Sequence, residues 1–201
     1  DCRAHAERLA VVGTDGHRLA MISRPVKSNA AKGETLSFLL PKKALSELLK
    51  LMEDEDATFG FSSQDNHLAF ICGKQVIVSR KIDGKFPNYR QVIPGDNQLK
   101  AKADKSDLTH ALKRVALLAD EKSKMVRFEI RKGTLTLTSD NTDLGAAVEE
   151  MSIDYDGEEV SIGLNAKYVL DILNVIEGDS VTLNLKDQNH SCLFTVADDD
   201  Q

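Results

Sequence analysis

Leu40-Pro41-Lys42-Lys43-Ala44-Leu45-Ser46-Glu47-Leu48-Leu49-Lys50-Leu51-Met52-Glu53 is matched, 124 residues further on, by Leu164-Asn165-Ala166-Lys167-Tyr168-Val169-Leu170-Asp171-Ile172-Leu173-Asn174-Val175-Ile176-Glu177. Pro41 predicts a helix start, because the first turn has no use for the N–H that proline lacks. With about 100° between successive residues, Leu45, Leu48, Leu49 and Met52 fall on one face. Their counterparts are Val169, Ile172, Leu173 and Ile176. The outward positions also agree in type, Lys43 with Lys167 and Glu47 with Asp171, and the acidic run Glu53 to Asp56 reads as the end of the first helix. A strand predicted at Ala57–Phe61 aligns with one at Val181–Leu185. Apolar periodicity alone recurs by chance; outward charges and a following strand recur far less easily. The pattern predicts two copies of a strand–helix–strand–strand unit, joined near residues 95–100.

Outward from the first copy, Leu9 to Val12 and Leu19 to Ile22 alternate as strands across Thr14-Asp15-Gly16, and Asp-Gly between apolar runs marks a hairpin. A polar loop, Lys27 to Gly33, leads to a short strand at Leu36 to Leu40. Further strands are expected at His67–Cys72 and Gln75–Ile82, then a loop over residues 83–98. The second half continues with a strand at Lys100–Ala103 and a helix from Lys105 to Leu118, capped by Ser106 or Asp104. Strands follow at Val126–Ile130, Thr134–Thr138, Ala146–Met151 and Glu159–Gly163, then a helix from Asn165 to Ile176. The last strands are expected at Val181–Leu185 and Cys192–Val196. The class is α+β, with antiparallel sheets and helices on one face.

Composition excludes several functional classes. Apolar residues make up 41% and charged residues 29%, enough to build cores and too mixed for wholesale disorder. The net charge of −6 hides an asymmetry: residues 1–100 carry 15 Lys/Arg and 12 Asp/Glu, residues 101–201 carry 11 and 20. An acidic protein can still face a duplex with its cationic side, so net charge decides nothing here. The three cysteines, Cys2, Cys72 and Cys192, lack metal-finger spacing and read as reduced thiols of a cytoplasmic protein. No apolar run reaches membrane length, and the opening residues do not read as a signal peptide, so a soluble intracellular protein is expected. Both ends read as cut rather than finished.

Four features stand out for function. On the predicted helix from Ser106, Leu108, Ala111, Leu112, Val115 and Ala119 form the core stripe, and Leu117 faces away among His110, Lys113 and Arg114. That placement suits either a solvated face with one stray leucine or a subunit contact. Cations recur on three helices, as Lys43 and Lys50, Lys113 and Arg114, and Lys167, a possible phosphate-facing stripe diluted by Glu47 and Asp171. In Thr14-Asp15-Gly16-His17-Arg18-Leu19-Ala20, Asp15 and His17 could serve a metal or a general base, but a solvated hairpin turn is the simpler reading. The loop Lys85-Phe86-Pro87-Asn88-Tyr89-Arg90-Gln91-Val92-Ile93-Pro94 is unusually apolar, as expected of a loop packed on a core or of a groove wall for a peptide. No G-x-S-x-G, P-loop or H-E-x-x-H pattern occurs.

Taken together, T-D-G-H-R-L-A at 14–20, D-G-K-F-P-N-Y-R-Q-V-I-P at 83–94 and N-A-K-Y-V-L-D-I-L at 165–173 resemble the bacterial DNA polymerase III beta sliding clamp family over nearly the whole chain. The resemblance implies tandem processivity-clamp domains: residues 1–97 as most of the middle domain, lacking its opening, and residues 98–201 as the C-terminal domain without its last strand. It implies a non-catalytic protein with no cofactor and no metal. Such a clamp encircles double-stranded DNA as a homodimer, and holds the polymerase III catalytic subunit, the clamp loader and repair proteins through short peptide motifs. With the first domain absent, a chain of this extent is expected not to close a ring alone.

Site residues carry over by position. The peptide groove would use Thr14, Gly16, His17, Arg18 and Leu19, with Pro87, Gln91 and Val92 as another wall and His190 and Cys192 nearby. The family often has Arg where Gln91 stands. Lys42, Lys43, Lys113, Arg114, Lys124 and Arg127 would face the duplex, and Leu117 and Leu118 the neighbouring subunit. Two rivals remain open: a small metal-dependent hydrolase built on Asp15 and His17, and a truncated peptide-binding decoy that cannot encircle DNA.

Overall fold

The computed structural model describes residues 2–5, 8–26, 36–51 and 60–196. They divide into two compact units, Asp1–Tyr89 and Arg90–Gln201.

Unit 1 opens with β1 (Cys2–His5), β2 (Arg8–Thr14), β3 (Leu19–Pro25) and β4 (Leu36–Phe38). They form an antiparallel sheet in the order β3-β2-β1-β4. Helix α1 (Lys42–Leu51) follows, then a meander of β5 (Gly60–Gln64), β6 (His67–Cys72) and β7 (Gln75–Arg80). Alternation assigns the faces of that meander. Leu68 and Phe70 point inward and are buried, whereas Ile71, Val76 and Val78 point outward and are exposed. The centre of the unit is Phe38, Leu48, Leu68 and Phe70, with Phe61 stacked on Phe38 at 5.0 Å.

The expected core face of α1 is corrected here. Ala44 and Leu48 are buried, while Leu45 is 41% and Leu49 66% exposed. Leucines at four of the positions between 45 and 51 cover too wide an arc to fix the helix's rotation. The i, i+4 pair that meets the sheet is set one residue earlier. Met52, residues 53–56 and residues 57–59 of the expected strand lie outside the described residues.

Unit 2 is built from two similar halves. The first is β8 (Leu99–Asp104), α2 (Lys105–Val115) with a 3-10 turn at Ala116–Leu118, β9 (Met125–Arg131), β10 (Thr134–Asn141) and β11 (Gly145–Ser152). The second is β12 (Val160–Asn165), α3 (Ala166–Val175), β13 (Ser180–Leu185) and β14 (Leu193–Val196). The antiparallel sheets run β11-β10-β9-β12 and β14-β13-β8. The first strand of each half therefore completes the other half's sheet.

The helices of unit 2 begin alike. Asp104 caps α2 by accepting from Asp107 N at 2.8 Å, and Asn165 caps α3 by accepting from Tyr168 N at 3.2 Å. Lys105, the first residue of α2, donates through Nζ to Ile176 O at 2.7 Å, placing a cation at the C-terminal end of α3. Ser139, buried in β10, donates to Val115 O at 2.7 Å and satisfies a carbonyl at the end of α2.

The expected stripe Leu108, Ala111, Leu112, Val115 and Ala119 is buried, as are Ala166, Val169 and Leu173 of α3. Each fully buried leucine or valine contributes roughly 2 kcal/mol of apolar transfer. In spacing, Ala44 and Leu48 of α1 correspond to Val169 and Leu173, one residue off the sequence match. Residues 176–179 separate α3 from β13.

Candidate functional site

The hairpin joining β2 to β3 is built from its own side chains. Thr14 Oγ1 donates to Arg18 O at 2.7 Å and accepts from Gly16 N at 3.2 Å. Asp15 Oδ1 accepts from His17 N at 3.1 Å and from Arg18 N at 3.0 Å, and Asp15 Oδ2 accepts from Arg18 Nε at 3.1 Å. Gly16 sits at φ +88°, in the left-handed region where a Cβ is strained. The two backbone N–H donors, with the guanidinium behind them, hold the Asp15 carboxyl well below its usual range, at about 2. Thr14, Gly16 and His17 are exposed and Arg18 and Leu19 half-buried, so five of the expected groove residues share one rigid turn.

The apolar segment is ordered by a second device. Tyr89 is buried, its N–H donates to Pro87 O at 2.8 Å, and its ring meets Phe86 edge-on at 6.3 Å. A 3-10 turn, Tyr89–Gln91, interrupts what the sequence suggested was plain loop. Pro87, Gln91 and Val92 are exposed, Val92 at 59%. Thr14 to Leu19 and Pro87 belong to unit 1; Gln91, Val92, His190 and Cys192 belong to unit 2.

In unit 2, His190 Nδ1 lies 2.7 Å from Asp187 Oδ1, which also accepts from Asn189 N at 2.8 Å. The His190 contact is the larger cause that lowers the Asp187 pKa. Cys192 is half-buried against the core, and desolvation pushes its thiol up to about 12. Asn97 Nδ2 donates to Asn184 O at 2.8 Å and to Ser191 O at 3.0 Å. With Lys186, whose Nζ donates to Asp96 Oδ2 at 2.5 Å, it ties residues 96–97 to the segment 184–191, and residues so far apart in sequence gave no hint of it.

The expected DNA-facing cations separate into distinct settings. Lys42 and Lys43 are exposed at the start of α1, and Lys113 is exposed on α2. Arg114 is engaged: its Nε and Nη2 donate to Glu149 of β11 at 2.6 and 2.9 Å, a bidentate pair that lowers the Glu149 pKa. Lys124 occupies a tight turn at φ +49°, where its carbonyl accepts from Ala166 N at 2.8 Å. Arg127 lies between buried Val126 and Phe128, so it points to the sheet face opposite their buried side. Leu117 is 78% exposed, as periodicity predicted, and Leu118 is half-buried beside it.

Among the described residues no group of three or more His, Cys, Asp and Glu side chains could hold a metal ion. Both Asp15 oxygens accept from donors of the turn itself, as the reading of a solvated hairpin turn expects. No helix of the described residues is long and apolar enough to cross a membrane.

Residues 2–88 match the family described as DNA polymerase III beta subunit, central domain, and residues 90–201 match DNA polymerase III beta subunit, C-terminal domain. The chain belongs to the DNA polymerase III beta subunit family. The beta sliding clamp of Pseudomonas aeruginosa is 33% identical over 192 residues, covering 96% of this chain and 52% of that protein. That of Caulobacter vibrioides is 37% identical over 180 residues, covering 90% and 48%. The chain thus spans about half the length of the curated beta clamps it matches. Among solved structures, a DnaN sliding clamp (DNA polymerase III subunit beta) from P. aeruginosa bound to griselimycin superposes with a TM-score of 0.93 at 32% identity, over 99% of this chain and 53% of that one. A Caulobacter crescentus beta sliding clamp gives 0.89 at 34% identity, over 99% and 55%. The antiparallel, helix-faced architecture is that of these beta clamps.

Proposed function

We propose that this chain acts as a segment of a DNA sliding clamp, a non-catalytic processivity factor that keeps a replicative polymerase on duplex DNA. Units 1 and 2 take the parts of the middle and C-terminal domains. The mechanism is topological: a protein that encloses a duplex needs only loose, salt-sensitive phosphate contacts, and these permit sliding. Lys42, Lys43 and Lys113 are the side chains best suited to supply them, being exposed on helices. Lys124 adds charge at a turn. Arg114 and Arg127 contribute less, one tied to Glu149 and the other directed to the sheet's opposite side. Leu117, bare in the 3-10 turn that follows α2, with Leu118 beside it, suits an apolar subunit contact of a homodimer.

The observation that carries the proposal is the match of both units to the beta-subunit family; an ordered hairpin at the residues expected to line the groove supports it. The hairpin of unit 1 would receive peptide motifs of the polymerase, the clamp loader and repair proteins; Pro87 in unit 1, and Gln91, Val92, His190 and Cys192 in unit 2, are the further contact positions expected from the family resemblance. An apolar anchor enters a pocket and a few polar groups fix its direction. Fluorescence anisotropy of labelled griselimycin with the 201-residue chain tests the groove. Saturable binding that a His17→Ala, Val92→Ala double variant abolishes is expected. No binding, or binding indifferent to the double variant, would sink the assignment.

A further inference from the structure

We infer that Asp15 is a positioning residue of the peptide groove, one that touches no visiting peptide but fixes the residues that do. The inference rests on the groove proposed above and deepens it. In the sequence Asp15 suited a metal or a base less simply than it suited a hairpin turn, and the geometry gives it the work of the turn. Its Oδ1 gathers the amides of His17 and Arg18 at 3.1 and 3.0 Å, and its Oδ2 takes Arg18 Nε at 3.1 Å. Asp15 N donates to Arg18 O at 3.4 Å, and Thr14 Oγ1 donates to the same carbonyl at 2.7 Å. Both ends of the four-residue turn are thereby closed by one carboxylate and one hydroxyl.

The consequence for binding is energetic. A turn that carries His17 and Arg18 on an already fixed backbone does not have to be ordered when a peptide arrives, so less of the interaction energy is spent on ordering. Charge-assisted bonds to a carboxylate are stronger than neutral ones, which suits a turn held in solvent. The carboxylate remains ionised through the neutral and mildly acidic range, so the bonds persist there. Thr14 belongs to the same device: its hydroxyl is used inside the turn, and what it offers a peptide is its methyl group.

The test uses the 201-residue chain and labelled griselimycin, with Asp15→Ala, Asp15→Asn and His17→Ala variants. Asparagine keeps an oxygen acceptor for the two amides; alanine does not. Asp15→Ala is expected to weaken binding about tenfold and Asp15→Asn no more than about threefold, with melting temperatures close to the parent's. The His17 and Arg18 amide resonances should move in Asp15→Ala and largely return in Asp15→Asn. Parent-like affinity of Asp15→Ala alongside weakened His17→Ala overturns the inference alone. An Asp15→Asn as weak as Asp15→Ala, or an Asp15→Ala chain that no longer melts cooperatively, also overturns it. Indifference of all three variants overturns the groove, and the inference with it.

Discussion

Unit 1 and unit 2 are made of the same parts and are finished to different degrees. In unit 2 two helices start from capped ends, bury full apolar stripes and are tied together by Lys105. In unit 1 the one described helix has no side-chain capping bond among the described residues, and it buries Ala44 and Leu48 while leaving Leu45 and Leu49 to solvent. Unit 1 has no counterpart of β8 and α2 among its described residues. The lesson is that an apolar helix pattern states how much surface could be buried, and the neighbours present decide how much is.

The sharpest way to break this comparison is with paired truncations. Leu112→Ala, at a fully buried site, is expected to cost about 3–4 kcal/mol in urea unfolding. Leu49→Ala should change stability by less than about 0.5 kcal/mol. Equal costs would mean that α1 is covered in solution. Next in size are the groups that finish unit 2. Asp104→Ala removes a cap and Ser139→Ala orphans a helix-end carbonyl; each should cost about 1–2 kcal/mol in the same measurement.

A chemical probe comes third. With its thiol held near 12, Cys192 should resist iodoacetamide at pH 8 in the folded chain and react once urea is added, as read by peptide mass spectrometry. Rapid native labelling would show that the loop around Asn97 opens. The smallest effect is acid loss of exposed carboxylate bonds. Asp15 and Glu149 both have depressed folded-state pKa values. Their contributions are therefore complete above the ordinary carboxylate range and fade as pH falls through the folded values. The His17 and Arg18 amide shifts should follow Asp15 with a midpoint near pH 2, while unit 2 loses the Arg114 bridge over the same descent.

Much of this fold was legible in the sequence because its signals are local. Asp15-Gly16 between apolar runs marks the β2–β3 hairpin, and both Asp104 and the core stripe of α2 are visible within one helix. The rotation of α1 was not, since its leucine-rich arc satisfies several orientations and only contact with the sheet chooses one. The repeat was read at the longer offset between units. The internal one, 61 residues from Asp104 to Asn165, went unseen because the two caps differ in residue type and α2 is polar where α3 is apolar. At the candidate site the turn residues were readable from motif and spacing. Glu149 for Arg114 and Asn97 for Ser191 were not, because those partners meet only through tertiary structure.

The exchange of first strands between the halves of unit 2 has a further consequence. Because β12 finishes the sheet of β9 to β11 and β8 finishes the sheet of β13 and β14, neither half can fold to completion before the other exists. Such long-range closure favours slow, all-or-none folding over stepwise assembly. A protease nick in the connection at residues 153–159 should leave two fragments that stay interlocked and part only when the whole unit melts.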